Sequence, residues 1–134
     1  MNRITSLSNG ARLNVAGLVV TAIGMLLEIG AGSGLYPTLT GPIVLLVGAA
    51  LVVFRPARWT SYAGLIIPLV LAIGLTFSAV LSPTFFNQLV DTGNVGIVLG
   101  SVLHVVGLIA GIAGGAMMVM ASVRRPSGAA DHVR

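Results

Sequence analysis

Four apolar runs, separated by short polar or glycine-rich connectors, set the pattern of this chain. Met1 to Asn14 reads as a polar start carrying Arg3 and Arg12, and Leu13 to Ile29 is then apolar except, past Asn14, for Thr21 and Glu28. Gly30 to Thr40 is a glycine-rich connector ending at Gly41 and Pro42, where Pro suits the first turn of a new helix. The second run ends at Phe54, the third reaches Leu81 after a capping Thr60 or Ser61, and Ser82 with Pro83 stops it. The fourth, Val95 to Val123, contains no Pro and no Asp, Glu, Lys or Arg, and Asn94 can cap it. At about 1.5 Å per residue such runs are on the scale of a hydrocarbon layer roughly 30 Å thick. The pattern predicts helices at about 13–30, 36–54, 60–81 and 95–123. It also predicts an outer loop at 82–94 and a mobile polar tail at 124–134 that is too poor in apolar residues to fold. Residues 1–134 form a single membrane domain on this reading. The basic start and the small residues Ala31, Gly32 and Ser33 have the outline of a cleaved signal, but the long apolar segment favours an uncleaved helix.

Composition turns these helices into membrane spans. Of 134 residues 56% are hydrophobic and 7% charged, and mean hydropathy is +1.04, too few polar side chains to coat a water-soluble globule of this size. The absence of Cys excludes disulfides and thiolate metal sites. No cofactor is expected.

Charge sets the direction of threading. Every basic residue is Arg, a skew that points to a GC-rich bacterial genome. If all four runs cross, Arg3 and Arg12, Arg55 and Arg58, and Arg124, Arg125 and Arg134 fall on one side, the arrangement the positive-inside bias prefers. A re-entrant second run would split them. The expected fold is therefore an all-α integral membrane protein, a four-transmembrane-helix bundle in a plasma (inner) membrane with both N and C termini cytoplasmic. Placed so, the net charge of +4 faces headgroups and gives no reason to invoke nucleic acid. Tyr36, Phe85 and Phe86 mark the outer interface, and Phe54, Trp59 and Tyr62 the inner one. Phe85, Phe86 and Leu89 form one apolar side of a short interfacial turn in the outer loop.

Within the helices only Glu28 and His104 are ionisable, and a charge at membrane depth needs an explanation. By helical rise both lie in the outer half of the bilayer. Gly17, Thr21, Gly24 and Glu28 share one face of the first helix, and Gly100, His104, Gly107 and Gly111 one face of the fourth. Two readings stay open: a Glu28–His104 pair able to exchange a proton with the outer face, or a Glu28 reaching interfacial water while neutral His104 bonds a backbone carbonyl. Gly96, Gly100, Gly107, Gly111 and Gly115 form a packing seam, either for a partner or for the chain's own bundle. Pro68 removes the amide that Gly64 O would accept, so Gly64 and Pro68 mark a kink or hinge.

Four helices and one glutamate in the first resemble, in outline, the small multidrug resistance transporters. That resemblance implies proton-coupled export of cationic compounds. Glu28, however, lies near the outer helix end between Leu27 and Ile29, not mid-helix among aromatics, so no site residue is carried over. No phosphate loop, paired carboxylates, metal spacing or nucleophile elbow occurs, and Ser101 one turn from His104 lacks an oxyanion hole. The expectation is a non-enzymatic accessory subunit, packing its helices into a larger envelope or transport complex. The alternative is a small proton-coupled transporter working as a homo-oligomer. Expected partners are membrane lipids and either other membrane-protein subunits or further copies of the chain.

Overall fold

The structure, a computed structural model, describes residues 7–32, 39–55, 57–82, 87 and 93–124. Among them are four helices and no strand: α1 Asn9–Gly30, α2 Thr40–Phe54, α3 Arg58–Leu81 and α4 Val95–Arg124. Three of these, α1, α3 and α4, are long and apolar enough to cross a membrane. With its 15 residues, α2 rises about 22 Å. The expected helix segment 36–38, the turn of Phe85, Phe86 and Leu89, most of the 82–94 loop and the tail beyond Arg124 lie outside the described residues.

In a lipid core each segment must satisfy its own backbone, which makes helices of runs as β-branched as Ile43–Val47. The helix starts differ from expectation because polar residues that look like connectors are structural. Thus α1 begins at Asn9 and not at 13, with Ser8 as N-cap and its Oγ accepting from Ala11 N–H at 3.3 Å. Its C-terminal end is closed by Gly32, whose positive φ of 83° suits a residue without Cβ, with Gly32 N–H donating to Ile29 O at 3.1 Å. Likewise α3 begins at Arg58 and not at 60, so Arg58 and Trp59 are helical and not part of a turn. Thr60 closes its first turn from within, accepting from Ala57 N–H at 3.2 Å and donating to Ala57 O. As expected, Asn94 caps α4, accepting from Ile97 N–H through its side chain at 3.4 Å and through its carbonyl at 3.1 Å.

The chain runs up and down, and α1 touches each of the other three helices. One face of α1 is apolar: Leu18, Ala22 and Met25 form a core cluster with Leu45 and Ala49 of α2, flanked by Ile67 and Leu71 of α3. The opposite face is small and polar and lies on α4. There Gly10, Asn14, Gly17, Thr21, Gly24 and Glu28 alternate at spacings of four and three, the 3.5-residue repeat of a coiled-coil seam. The backbones almost touch along it. A Cβ on Gly17 would lie 2.6 Å from Gly107 O, and one on Gly24 would lie 2.6 Å from both Gly100 O and His104 N. Apolar burial drives helix association weakly in lipid, so this close approach, with the van der Waals contact it brings, holds α1 to α4.

The glycines of α4 are thus engaged within the chain. Gly100 and Gly107 face α1, Gly111 lies against Pro68 of α3 beside Gly17, Gly115 faces Leu65 of α3, and Gly96 lies under Ala31 and Asn94. Gly114, outside the seam expected from the sequence, packs on the backbone of Asn14.

Candidate functional site

Two polar nodes lie on the α1–α4 seam, at its two ends. The lower one is Asn14, fully buried, although its position in the sequence suggests a polar leader. Its Nδ2 donates two hydrogen bonds of 2.7 Å, to Gly64 O of α3 and to Gly111 O of α4. The first has a specific cause. Pro68 stands four residues after Gly64 and has no N–H, so Gly64 O lacks its intrahelical donor, and the Asn14 amide takes that place. Gly64 itself must be small, because a Cβ there would lie 2.8 Å from Asn14 Oδ1. That oxygen has no hydrogen-bond donor among the described residues.

One heptad above, Thr21 is buried and returns its hydroxyl proton to Gly17 O at 2.8 Å. One heptad further is the upper node. Glu28 and His104 are each 2% exposed and Ser101 4%. Ser101 Oγ donates to Glu28 Oε1 at 2.7 Å, and His104 Nδ1 lies 3.4 Å from Glu28 Oε2. The structure therefore brings Glu28 and His104 together, and it adds Ser101, whose position one turn before His104 was the only sign of it in the sequence. The carboxylate is the hub: Ser101 gives its one proton to Glu28, which is not the order of a nucleophile activated by an imidazole. A carboxyl and an imidazole side by side serve as each other's polar partner, which lowers the penalty of burying either group. Above the node, Asn94 Nδ2 donates to Ala31 O at 3.0 Å and ties the start of α4 to the end of α1.

At the opposite end of the bundle the start of α1, the end of α2, the start of α3 and the end of α4 surround a cavity of about 350 Å³. The arginines carried by these helix ends, Arg12, Arg55, Arg58 and Arg124, are thus gathered at one end, away from Glu28. Among the described residues no group of three or more His, Cys, Asp or Glu is placed to hold a metal.

Compared with protein-family models, curated proteins and solved structures, the chain matches none.

Proposed function

We propose that the chain is a non-enzymatic membrane protein with four spans and both termini cytoplasmic, serving as a helix-packing accessory subunit of a larger complex in a bacterial plasma membrane. One observation carries this reading, the contrast between the two halves of α3. Its buried residues are Thr60, Gly64 and Pro68, and beyond Pro68 none is fully buried, Leu71 alone packing on the edge of the core cluster. Phe77 and Val80 are 65% and 76% exposed. That open half is not plain aliphatic surface made for lipid. A Cβ on Gly74 would meet nothing within 4 Å, and with Ser78 one turn on it forms a small-residue notch that lets a foreign helix approach closely.

Gentle solubilisation followed by mass spectrometry tests the reading. Stoichiometric foreign subunits that are lost on Gly74→Ile support it. A monomer with nothing attached, unchanged by Gly74→Ile, refutes it. Threading is tested separately: cysteines replacing Ala57 and Asn87 should react with an impermeant reagent from opposite faces of intact cells.

The Glu28–Ser101–His104 node favours a second reading, a proton-coupled transporter acting as a homo-oligomer. A clean homo-oligomer whose transport is abolished by Glu28→Gln would establish it in place of the first.

A further inference from the structure

The cavity at the arginine-bearing end has a lining of two kinds. Its floor is apolar, made by Ala11, Val52 and Met118, and its polar side carries Arg58, Ser8 and Ser61, with no carboxylate among the described residues. Ser8 Oγ accepts from Ala11 N–H, which leaves its own proton free to donate. Ser61 Oγ makes no hydrogen bond with any described group. Arg58 opens α3, where only the first two N–H groups lack an acceptor in the helix, Thr60 N–H already donating to Ala57 O at 3.1 Å. At about 350 Å³ the space is at the lower end of small-molecule sites, roughly 300–1,000 Å³.

Its level in the bundle narrows the ligand. Phe54, Trp59 and Tyr62, exposed at 62%, 54% and 47%, ring the same helix ends, and such aromatic side chains mark the headgroup layer. A cationic, hydroxyl-bearing side at that level calls for a phosphate, and an apolar floor calls for the glycerol and first acyl carbons attached to it. Free phosphate has no use for the floor, and a neutral headgroup has less for Arg58.

We infer that this cavity binds the phosphate headgroup of an anionic phospholipid, with Arg58 as its charged partner and Ser8 and Ser61 as hydroxyl donors. The inference rests on the membrane reading but not on the accessory-subunit reading. Resistance of the protein to alkaline extraction from membranes tests the former by itself.

The experiment is native mass spectrometry of the purified full chain in detergent, titrated with phosphatidylglycerol or phosphatidylcholine, with and without excess inorganic phosphate. Phosphatidylglycerol should remain bound at about tenfold lower concentration than phosphatidylcholine, and inorganic phosphate should not displace it. Arg58→Gln should weaken it about fivefold. Arg55→Gln removes the same charge from a residue that does not line the cavity, and should change binding less than about twofold. Ala121→Phe fills the cavity with every charge kept and should also release the lipid, which keeps the test valid if Arg58→Gln unfolds. Equal weakening by Arg58→Gln and Arg55→Gln would show diffuse attraction and overturn the site. Equal binding of the two lipids, or displacement by inorganic phosphate, would overturn it as well.

Discussion

Asn14 and Glu28 occupy equivalent positions two heptads apart on the same face of α1, both buried against the glycines of α4, yet their hydrogen bonds go to different kinds of partner. Asn14 is held by backbone carbonyls, Gly64 O and Gly111 O. Those partners cannot titrate, and one of them has lost its own donor to Pro68. Glu28 is held by side chains, Ser101 and His104, and two of the three groups in that node can gain or lose a proton. A polar group that repairs the backbone serves the architecture. One that is met by titratable side chains has chemistry left over. The comparison assigns Asn14 to folding and leaves Glu28 as the residue on which the proton-coupled alternative depends.

The largest expected effect comes from the ground the two nodes share. A Cβ on Gly107 would strike Thr21 N and lie 2.8 Å from Gly17 O, midway along the seam, where rigid backbone on both sides leaves no room to yield. Gly107→Ala should destabilise the fold by about 3 kcal/mol, read as the free energy of unfolding in a mild-detergent denaturation series. A loss below about 1 kcal/mol would mean that α1 and α4 are not as close as described, and both nodes would lose their basis.

Next in size is Asn14→Ala, expected to destabilise by about 2 kcal/mol because it strands Gly64 O in a dry interior. Pro68→Ala gives that carbonyl an intrahelical N–H again, so in this background Asn14→Ala should be milder by about 1 kcal/mol. Strict additivity of the two substitutions would break the assignment of Asn14 as the replacement donor.

How far these nodes can be read from the sequence differs in the same way. The broken bond at Gly64 follows from Pro68 alone, since a residue without N–H disables a known acceptor. What supplies the missing donor does not follow, because Asn14 lies 50 residues away from Gly64 and looks like the end of a polar leader. The signal that was available is the spacing: Gly10 and Asn14 continue the alternation of Gly17, Thr21, Gly24 and Glu28 toward the chain start, and Gly114 continues that of Gly100, His104, Gly107 and Gly111. The face shared by Gly24 and Glu28 and the comparable depths of Glu28 and His104 were legible because helical rise and periodicity are local rules. Which side of α4 meets α3 was not, since Gly114 and Gly115 are neighbours in sequence with opposite duties. The bare half of α3 was equally hidden, for in an apolar helix lipid-facing and partner-facing residues look alike.

At the upper node the expected stability changes are smaller. Glu28→Gln keeps the size of the side chain and an oxygen for Ser101 while replacing the carboxyl group by an amide, so the fold should lose only about 1 kcal/mol or less. With His104→Gln as the second arm of a double-mutant cycle, the coupling between the two sites should be about 0.6 kcal/mol, the usual scale of interhelical polar contacts in membranes. A coupling of zero would reduce the 3.4 Å approach of His104 Nδ1 to Glu28 Oε2 to mere proximity, and Glu28 would then be as architectural as Asn14.

The smallest effect sharpens the contrast by local opening and not by global stability. Asn94 both caps α4 and donates to Ala31 O, directly above Glu28, whereas nothing comparable needs to open at Asn14. Asn94→Ala removes a cap and one interhelical bond, which should lower the local opening free energy near residues 27–31 and 95–101 by about 1 kcal/mol. Hydrogen exchange in detergent should register this as about fivefold faster exchange of those amides, with the amides around Asn14 unchanged. Faster exchange at both nodes together would mean that the seam opens as one unit. The difference between an architectural lower node and a chemically available upper one would then be a difference of side chains only, without any difference in access.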